Sequence, residues 1–287
     1  MQNNQSVKTQ YGKILCAIWG DGPKKIILNH GGPGLTHEYF ANFTDHLPSD
    51  FQVIAFDQIG SFHSDKPEDP STITIGDFTV VLEDVINALD IDNCYLLGHS
   101  LGASVAMEYS AKFPEKVNAL VLSNMMTDID EYEKYTQHLF ENMPEEAKQE
   151  FTAMVNAGDF ANPRFAEWLQ QYWYGPHMCR TNPWPQALLD SMQHIALDVM
   201  IPFTGPNPFQ VQGKLKEWSF SDRLSQLRMP CLVIGSEYDS MDPRHLRKMA
   251  EALPNSEYHH CPKGSHFAMW DDEETYFEGL NRFLAKV

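Results

Sequence analysis

Short hydrophobic runs alternate with helical spacing over the first 124 residues of the chain. Two stretches, residues 75–89 and 100–113, carry apolar side chains at intervals of three and four, which is typical of helices. Runs of four to seven mostly apolar residues predict buried strands at Lys25–Asn29, Phe51–Asp57, Tyr95–Gly98 and Ala119–Ser123. Strands and helices in alternation predict crossover units, and therefore a mostly parallel sheet with helices on both faces.

The pattern changes in the middle of the chain. From about Met125 to Trp218 no strand-like run occurs, and three or four helical segments follow one another. Proline stands at a plausible first helical position in three of them, at Pro144, Pro163 and Pro185, where a missing N–H is tolerated. We therefore predict a helical insertion in this part of the chain.

Strand-like runs return at Cys231–Gly235 and Glu257–His260, each followed by a helical pattern. The economical interpretation is one α/β domain that is interrupted by a helical cap. The catalytic core is predicted to comprise residues 1–124 and 219–287, and the cap residues 125–218.

Composition and charge narrow the choice of partners. The chain has 287 residues, of which 43% are hydrophobic, enough for a large core without a disulfide or a metal to hold it together. Its net charge of −18 argues against nucleic acid and against an anionic membrane surface as partners, because both attract clustered Lys and Arg.

Cysteine usage and hydropathy bear on location. The five cysteines are scattered and none forms a Cys-x-x-Cys pair, which is typical of reduced thiols in a cytoplasm. No run approaches the ~20 apolar residues of a membrane span, and the N-terminal residues lack the apolar segment of a signal peptide. We expect a soluble cytoplasmic protein. His259, His260 and Cys261 lack a second ligand cluster at zinc spacing, so neither a metal nor a cofactor is expected.

The motif GHSLG, residues 98–102, fits G-x-S-x-G and stands between a predicted strand and a predicted helix. A nucleophilic serine needs a sharp turn at that place, so that its hydroxyl projects from the sheet, and flanking glycines permit the turn. The motif alone is weak evidence for a nucleophile, and its position between a strand and a helix strengthens that evidence. Ser100 is the predicted nucleophile, whereas His99 is expected to shape the turn.

A glycine-rich turn, HGGPG at residues 30–34, directly follows the first predicted buried strand. Cleavage of an amide or an ester passes through an oxyanion, which backbone N–H groups already aimed at it stabilise. The N–H of Gly32 is one predicted donor. The N–H of Leu101, directly after the nucleophile, is the other.

A serine hydroxyl needs a base, and the base needs an acid that orients it. His266 stands alone in its loop after the last predicted strand and is the predicted base. Asp239 follows the strand at 231–235 and is the predicted acid, because open α/β sheets place their sites at the carboxyl ends of strands. Other acids lie near that loop, with Asp242 as the main rival, then Glu237 and Glu251.

These residues resemble the proline iminopeptidase family of α/β hydrolases, and most closely its tricorn interacting factor branch. HGGPG is similar to that family's signature, and the likeness continues through FDQIGSFHSDKP, EYDSMDP and GSHFAMWDDEETY over most of the chain. The resemblance implies an α/β-hydrolase fold and an enzyme that removes an N-terminal residue, often proline, from short peptides or aminoacyl amides. It implies the same triad, Ser100, Asp239 and His266, and the same oxyanion donors, Gly32 and Leu101.

The chain departs from that branch at the positions that hold the substrate's ammonium. The branch uses two glutamates there, and this chain has Pro208 and Ser240 at the matching positions. A buried ammonium without a carboxylate partner is unfavourable, so amine recognition is expected to weaken. The family's DQxGxGxS loop is also altered, since Ser61, Phe62 and His63 stand where small glycines are usual. The bulky Phe62 is expected to narrow or reshape the pocket.

The leading hypothesis is an aminopeptidase or amino-acid amidase that acts on a small molecule or a short peptide. Candidate pocket residues are Gly31, Phe62, Tyr172 and Trp173, and candidate replacements for the missing glutamates are Glu167, Asp198 and Glu217. The alternative is an esterase, lactonase or amidase of small acyl compounds that needs no free amine. A catalytically silent binding protein is disfavoured because the predicted triad is complete.

Overall fold

A central sheet of eight strands dominates the structure, a computed structural model that describes residues 2–287. The strands are β1 Gln2–Thr9, β2 Gly12–Trp19, β3 Lys24–Asn29, β4 Phe51–Phe56, β5 Cys94–His99, β6 Val117–Ser123, β7 Cys231–Ser236 and β8 Ser256–Cys261. Their order in the sheet is β1-β2-β4-β3-β5-β6-β7-β8. β1 pairs with β2, and β2 with β4, in antiparallel fashion, and all other neighbours are parallel.

The strands at the centre of the sheet are covered on both faces. Every residue of β5 and of β7 is buried, which explains why both read as continuous apolar runs rather than as alternating ones. The six strands predicted from such runs are all present within one or two residues of the predicted bounds. The predicted α/β-hydrolase fold is confirmed.

Helices connect the strands and cover the sheet. They are α1 Phe43–His46, α2 Ile75–Ala88, α3 Leu101–Lys112, α4 Ile129–Glu141, α5 Glu145–Ala157, α6 Pro163–Leu169, α7 Gln186–Gln193, α8 Leu197–Thr204, α9 Pro243–Ala252, α10 Ala268–Asp271 and α11 Glu273–Leu284. A π-helix spans Gln170–Met178, and short 3₁₀ turns lie at His37–Phe40, Pro70–Thr72, Pro114–Lys116 and Ser221–Gln226. Across residues 2–287, each helix is either too short or too polar to cross a bilayer.

Local sequence explains where several helices begin. Thr74 and Asp77 form a capping box at the start of α2, in which each side chain accepts a hydrogen bond from the other's backbone N–H. Asn162 caps α6, and Pro163 is the first residue of that helix, as its position in the sequence predicts. Pro144 and Pro185 stand one residue earlier than predicted, at the N-cap rather than inside α5 and α7.

Five α-helices and the π-helix lie between β6 and β7; we call residues 129–204 the helical segment. Part of it has its own apolar cluster, in which Trp168 is fully buried against Phe151 with ring centroids 4.5 Å apart. α8 instead packs on the core beside the sheet, where Phe203 contacts Phe78 of α2. A division into a core at 1–124 and 219–287 and a cap at 125–218 stays a prediction.

The antiparallel hairpin of β1 and β2 is not apparent from the sequence pattern. The β1 sequence, QNNQSVKT, is almost entirely polar, and Val7 is the apolar side chain that it buries. β1 is one of the two edge strands, and all eight of its residues align with β2 in one register from Thr9↔Gly12 to Gln2↔Trp19. The formation of β1 therefore depends on its pairing with β2 and not on its own hydrophobic pattern.

Candidate active site

Ser100 occupies the sharp turn between β5 and α3. Its φ of +54° and ψ of −132° are a conformation that residues with a side chain rarely adopt. The strand and the helix meet closely on both sides of it. A Cβ at Gly98 would lie 2.3 Å from the Gly102 carbonyl oxygen, and one at Gly102 would lie 2.0 Å from the Asn29 carbonyl oxygen. Glycine is therefore required on both sides of the serine.

The turn at residues 30–34 lies beside Ser100. A Cβ at Gly31 would come within 2.6 Å of the Ser100 Cβ, so the backbone of this turn is in contact with the serine. Gly32 has a φ of +115°, which glycine adopts without strain, and it lines the same cavity as Ser100 and Leu101. Leu101 is the first residue of α3, where the N–H has no partner within the helix. The structure thus brings both predicted oxyanion donors to the cavity of Ser100.

His266 and Asp239 form a buried pair at the carboxyl ends of the strands. The Nδ1–H of His266 donates to Oδ1 of Asp239 at 2.8 Å, and the two side chains are 4% and 0% exposed. His266 lines the cavity that also contains Ser100. Asp239 is held in turn by Asn124, whose Nδ2 donates to the second carboxylate oxygen at 2.8 Å.

The other acids near the loop have different partners. Asp242 is the N-cap of α9, where its side chain accepts from the backbone N–H of Arg244 at 2.9 Å. Glu237 is about half exposed and pairs with His260 at 3.3 Å. Glu251 is exposed on α9. Of the four acids considered from the sequence, Asp239 is the one that contacts His266.

His99 connects the two loops that frame Ser100. Its Nε2–H donates to the carbonyl oxygen of His266 at 2.8 Å, and its Nδ1 accepts from the hydroxyl of Tyr39 at 3.0 Å. The same hydroxyl accepts from the N–H of Gly31 at 2.7 Å. Because this tautomer satisfies both ring nitrogens, His99 holds the loops in place as a neutral imidazole.

The loop that carries His266 also rests on the π-helix. The N–H of His266 donates to the carbonyl oxygen of His177 at 3.0 Å, and the N–H of Phe267 donates to that of Met178 at 2.8 Å. The Nδ1–H of His177 donates to the carbonyl oxygen of Tyr238, beside Asp239, at 2.9 Å. The last turn of the π-helix therefore positions the His266–Asp239 pair from the opposite side to His99.

The cavity at Ser100 is small and uncharged. It has a volume of about 190 Å³, and no Asp, Glu, Lys or Arg is among the described residues that line it. Four methionines contribute flexible thioethers: Met125, Met178, Met200 and Met241. Tyr132 and Tyr174 are also among the residues that line it, and burial raises the pKa of both phenol groups.

The pocket residues predicted from the sequence separate into two groups. Trp173 lines the cavity and packs on Phe209 with ring centroids 4.7 Å apart, and Gly31 contacts Ser100. Tyr172 packs on Trp168 in the helical segment and does not line the cavity. Phe62 is 59% exposed, stacks on His194 and lies outside the cavity wall, so it does not narrow the pocket.

The acids proposed to replace the family's glutamates do not reach the cavity. Glu167 pairs with Arg164 at 3.2 Å, Asp198 pairs with Lys66 at 3.0 Å, and Glu217 is exposed. None of the three is among the residues that line the cavity. Pro208 and Ser240 do line it, so the two departures from the family pattern act at the cavity itself.

Asn124 and the polar and sulphur-containing wall residues could not be assigned to the site from the sequence. Asn124 has one signal, since it directly follows β6, the strand between those that lead to Ser100 and Asp239. Its amide also donates to the hydroxyl of Ser236 at 2.9 Å, and its φ is +54°. The methionines and tyrosines of the wall come from α4, the π-helix, α8 and the loops after β6 and β7, and no single spacing in the sequence joins them.

Comparison with known proteins agrees with the fold, which is that of an α/β hydrolase. A family model described as alpha/beta hydrolase fold matches residues 24–273. The chain is 37% identical to a proline iminopeptidase of Flavobacterium johnsoniae over 98% of this chain and 97% of that relative. It is 36% identical to a proline iminopeptidase of Elizabethkingia meningoseptica over 96% and 94% of the two chains. The chain belongs to the proline iminopeptidase family of α/β hydrolases.

Solved structures show the same fold. The crystal structure of a proline iminopeptidase from Mycobacterium smegmatis superposes with a TM-score of 0.89 at 26% identity, and the match covers 99% of this chain and 98% of that one. The crystal structure of VinJ gives a TM-score of 0.93 at 24% identity, with the same coverage of 99% and 98%. The second likeness shows the fold alone.

Asn124→Ala is expected to lower kcat by roughly 10- to 100-fold with little change in KM, because Asp239 would lose a buried hydrogen bond that orients it. Steady-state kinetics on the purified variant measures both constants. If Asn124 acts through Asp239, the same substitution should have little further effect in an Asp239→Asn background. Full additivity in that double-mutant cycle would contradict the positioning role.

Stability is expected to fall in mild acid because two fully buried histidines are neutral in the folded protein. Burial lowers the pKa of His30, and it lowers that of His99 well below its ordinary value. In the unfolded chain both take up a proton below about pH 6.5. The unfolded state then binds more protons, so the free energy of unfolding decreases as the pH falls, by up to about 1.4 kcal/mol per pH unit for each group.

Urea unfolding at pH 7.5, 6.5 and 5.5 measures the slope of the free energy of unfolding against pH. His99→Gln should make it shallower, whereas His138→Gln, at an exposed position on α4, should leave it unchanged. The partly buried histidines whose pKa burial also lowers contribute in the same direction: His177, His245 and His259. An equal slope in wild type and His99→Gln would contradict the prediction.

Proposed function

We propose that this protein is a serine hydrolase that cleaves an amide bond of a small substrate, as a proline iminopeptidase-like aminopeptidase or amino-acid amidase. One observation carries the proposal: His266, which is paired with the buried Asp239, lines the same cavity as a serine on a strained turn. Membership of the proline iminopeptidase family supports the aminopeptidase activity in particular. We also propose a cytoplasmic location, which five buried and free cysteines support.

In the proposed reaction, the Oγ of Ser100 attacks the substrate carbonyl carbon while Nε2 of His266 accepts the serine proton. Asp239 keeps the proton of the imidazole on Nδ1 and stabilises the imidazolium that forms. The N–H groups of Gly32 and Leu101 donate to the oxyanion of the tetrahedral intermediate. His266 then protonates the leaving amine, which departs and leaves an acyl-enzyme on Ser100.

A water molecule then hydrolyses the acyl-enzyme. His266, neutral again, accepts a proton from a water molecule that attacks the acyl carbonyl, and the second tetrahedral intermediate uses the same oxyanion donors. Collapse of that intermediate returns the proton to Ser100 and releases the acid. All of these groups belong to the chain, so the proposed chemistry needs no cofactor.

The cavity constrains the acyl group. A volume of about 190 Å³ accommodates a group the size of one small residue, and its apolar lining with Met200 and Trp173 favours an aliphatic ring or a short alkyl chain. An N-terminal proline or alanine satisfies both conditions. A long or folded peptide would have to extend outside the cavity on the leaving-group side.

The uncharged lining favours a second candidate function, an esterase, lactonase or amidase of small acyl compounds. A substrate ammonium placed in this cavity would meet tyrosine hydroxyls and the hydroxyl of Ser240, but no carboxylate of a described lining residue. Desolvation of an unpaired ammonium is unfavourable, whereas an uncharged acyl group enters without that penalty. The same triad chemistry serves both functions.

A matched substrate series separates the two functions. We would compare L-prolyl and L-alanyl arylamides, their N-acetylated forms and short-chain acyl esters on the purified protein. The aminopeptidase proposal predicts turnover of the free-amine substrates and a loss of turnover on acetylation. Equal turnover of acetylated and free-amine substrates, together with turnover of the esters, would reject it in favour of the second function.

Pro208→Glu sharpens the comparison because it restores a carboxylate at a position that lines the cavity. If free amines bind there, this variant should raise kcat/KM for L-prolyl arylamide by roughly tenfold relative to the acetylated form. Pro208→Gln, of nearly the same size and without the charge, is the matched control and should not change the ratio.

A further inference from the structure

Three potential metal ligands converge on the surface where the core meets the helical segment. Glu38, His63 and His194 each offer one ligand atom, and these atoms all lie within 4.8 Å of one another. Nδ1 of His194 lies 2.8 Å from Oε2 of Glu38, and Nε2 of His63 lies 3.5 Å from Oε1. The three residues come from distant parts of the chain, so spacing in the sequence does not reveal the cluster.

The side chains of this cluster are held before any ion binds. Glu38 lies in the 3₁₀ turn at residues 37–40, and its Oε2 accepts from the hydroxyl of Thr36 at 2.6 Å. The ring of His194 stacks on Phe62 with centroids 4.2 Å apart and an angle of 17° between planes. His63, next to Phe62, meets the ring of His194 edge-on at 5.2 Å. Phe62 therefore orients a member of the cluster.

We propose that Glu38, His63 and His194 bind a divalent transition metal ion, with Zn²⁺ as the preferred ion. Two imidazoles and one carboxylate are ligands that zinc accepts, at ~2.0–2.2 Å, which places tetrahedral ligand atoms roughly 3.3 Å apart. The observed separations between Glu38 and the two histidines are close to that value. The side chains are 22–29% exposed, so an ion reaches them from solvent and water completes the coordination.

His37, which directly precedes Glu38 in the chain, is not part of the proposed metal site. Nδ1–H of His37 donates to Oδ1 of Asp57 at 2.7 Å, and the two side chains are only 7% and 0% exposed, so an ion from solvent does not reach this pair. His46 also has a glutamate partner, since its Nε2 lies 3.0 Å from Glu273, but no second histidine joins that pair among the described residues. His46 and Glu273 thus provide a natural comparison for a histidine–glutamate pair without a third ligand.

A metal at this cluster would connect the helical segment to the turn that contains Gly32. His194 lies two residues before Ala196, whose N–H donates to the carbonyl oxygen of Gly34 at 2.8 Å. Lys66 and Asp198 form an ion pair at 3.0 Å across the same boundary. The ion would therefore stabilise this junction from outside the reaction site, and its role would be structural.

Equilibrium dialysis of the metal-stripped full-length protein against Zn²⁺ tests the proposal. We expect one zinc ion per chain with a Kd in the micromolar range or below, and His63→Gln, His194→Gln and Glu38→Gln should each weaken binding by roughly 10- to 100-fold. Excess Zn²⁺ should raise the Tm of the wild type by roughly 5 °C or more and that of His63→Gln by much less.

Two controls identify the site. His46→Gln removes a histidine–glutamate pair of the same kind elsewhere and should leave the zinc stoichiometry and Kd unchanged. His266→Gln removes the imidazole at the Ser100 cavity and should also leave them unchanged. Absence of stoichiometric binding at ~100 µM free Zn²⁺, or undiminished binding in all three cluster variants, would overturn the proposal, as would loss of binding in His266→Gln.

Discussion

Ser100→Ala is expected to lower kcat by roughly 10⁶-fold, to the residual rate that substrate binding and the oxyanion donors sustain. The substitution removes the oxygen that forms the acyl-enzyme, and no other hydroxyl in the cavity occupies the turn between β5 and α3. The measurement is kcat on the substrate that the wild type turns over fastest. A fluorophosphonate probe should label the wild type at Ser100, as read by mass spectrometry of peptides, and should not label the variant.

Ser104→Ala is the matched control for that experiment. Ser104 lies one turn further along α3 and is fully buried, and within residues 2–287 its hydroxyl has no hydrogen-bond partner. Loss of that hydroxyl should therefore leave both kcat and stability nearly unchanged. Retention of more than about 1% of the activity in Ser100→Ala would show that another group is the nucleophile.

Asp239→Asn is expected to lower kcat by roughly 10⁴-fold with little change in KM. An asparagine cannot hold the proton of His266 on Nδ1 as a carboxylate does, so Nε2 is no longer free to accept the serine proton. The His266–Asp239 hydrogen bond at 2.8 Å is buried, and solvent does not replace it. Steady-state kinetics at constant pH, with the fold checked by circular dichroism, provides the measurement.

Asp242→Asn serves as the control because it is the closest rival in sequence. Asparagine caps a helix about as well as aspartate, so α9 should keep its N-cap, and the variant loses only an ion pair with the exposed Arg244. Its kcat should stay within about threefold of the wild type. A larger loss in Asp242→Asn than in Asp239→Asn would reverse the assignment of the acid.

The strands that lead to the candidate active site could be predicted from the sequence because each is largely buried on both faces. β3, β5 and β7 read as apolar runs, and the turns after them hold Gly32, Ser100 and Asp239. The glycines of the motif GHSLG could also be explained, because the sharp turn at Ser100 admits only glycine at positions 98 and 102. β1 lacked any such signal, because an edge strand needs only one covered face and a partner.

The cavity wall could not be predicted in the same way. Trp173 faces the cavity and Tyr172, its neighbour, does not, and the difference arises from how the π-helix turns against Phe209. A hydrophobic pattern indicates that an aromatic residue is buried, but not which cavity it faces. The acids suggested as amine anchors failed for a related reason. Glu167 pairs with Arg164, three residues earlier on α6. Asp198 pairs with Lys66, a cation that lies far from it in sequence.

The position of Phe62 in the structure differs from the position expected from the sequence. The resemblance implies small residues at 61–63, and the bulky side chain at 62 was expected to affect the pocket. In the structure the ring lies at the surface and stacks on His194. A bulky aromatic residue there organises the histidine cluster instead of narrowing the cavity.

The two backbone hydrogen bonds from residues 266 and 267 to the π-helix limit how this molecule can admit a substrate. If the helical segment swung away as one rigid lid, the carbonyl groups of His177 and Met178 would leave with it. The imidazole of His266 would then lose its support at the moment when a substrate arrives. This end of the segment is therefore expected to stay on the loop of His266 while a substrate enters.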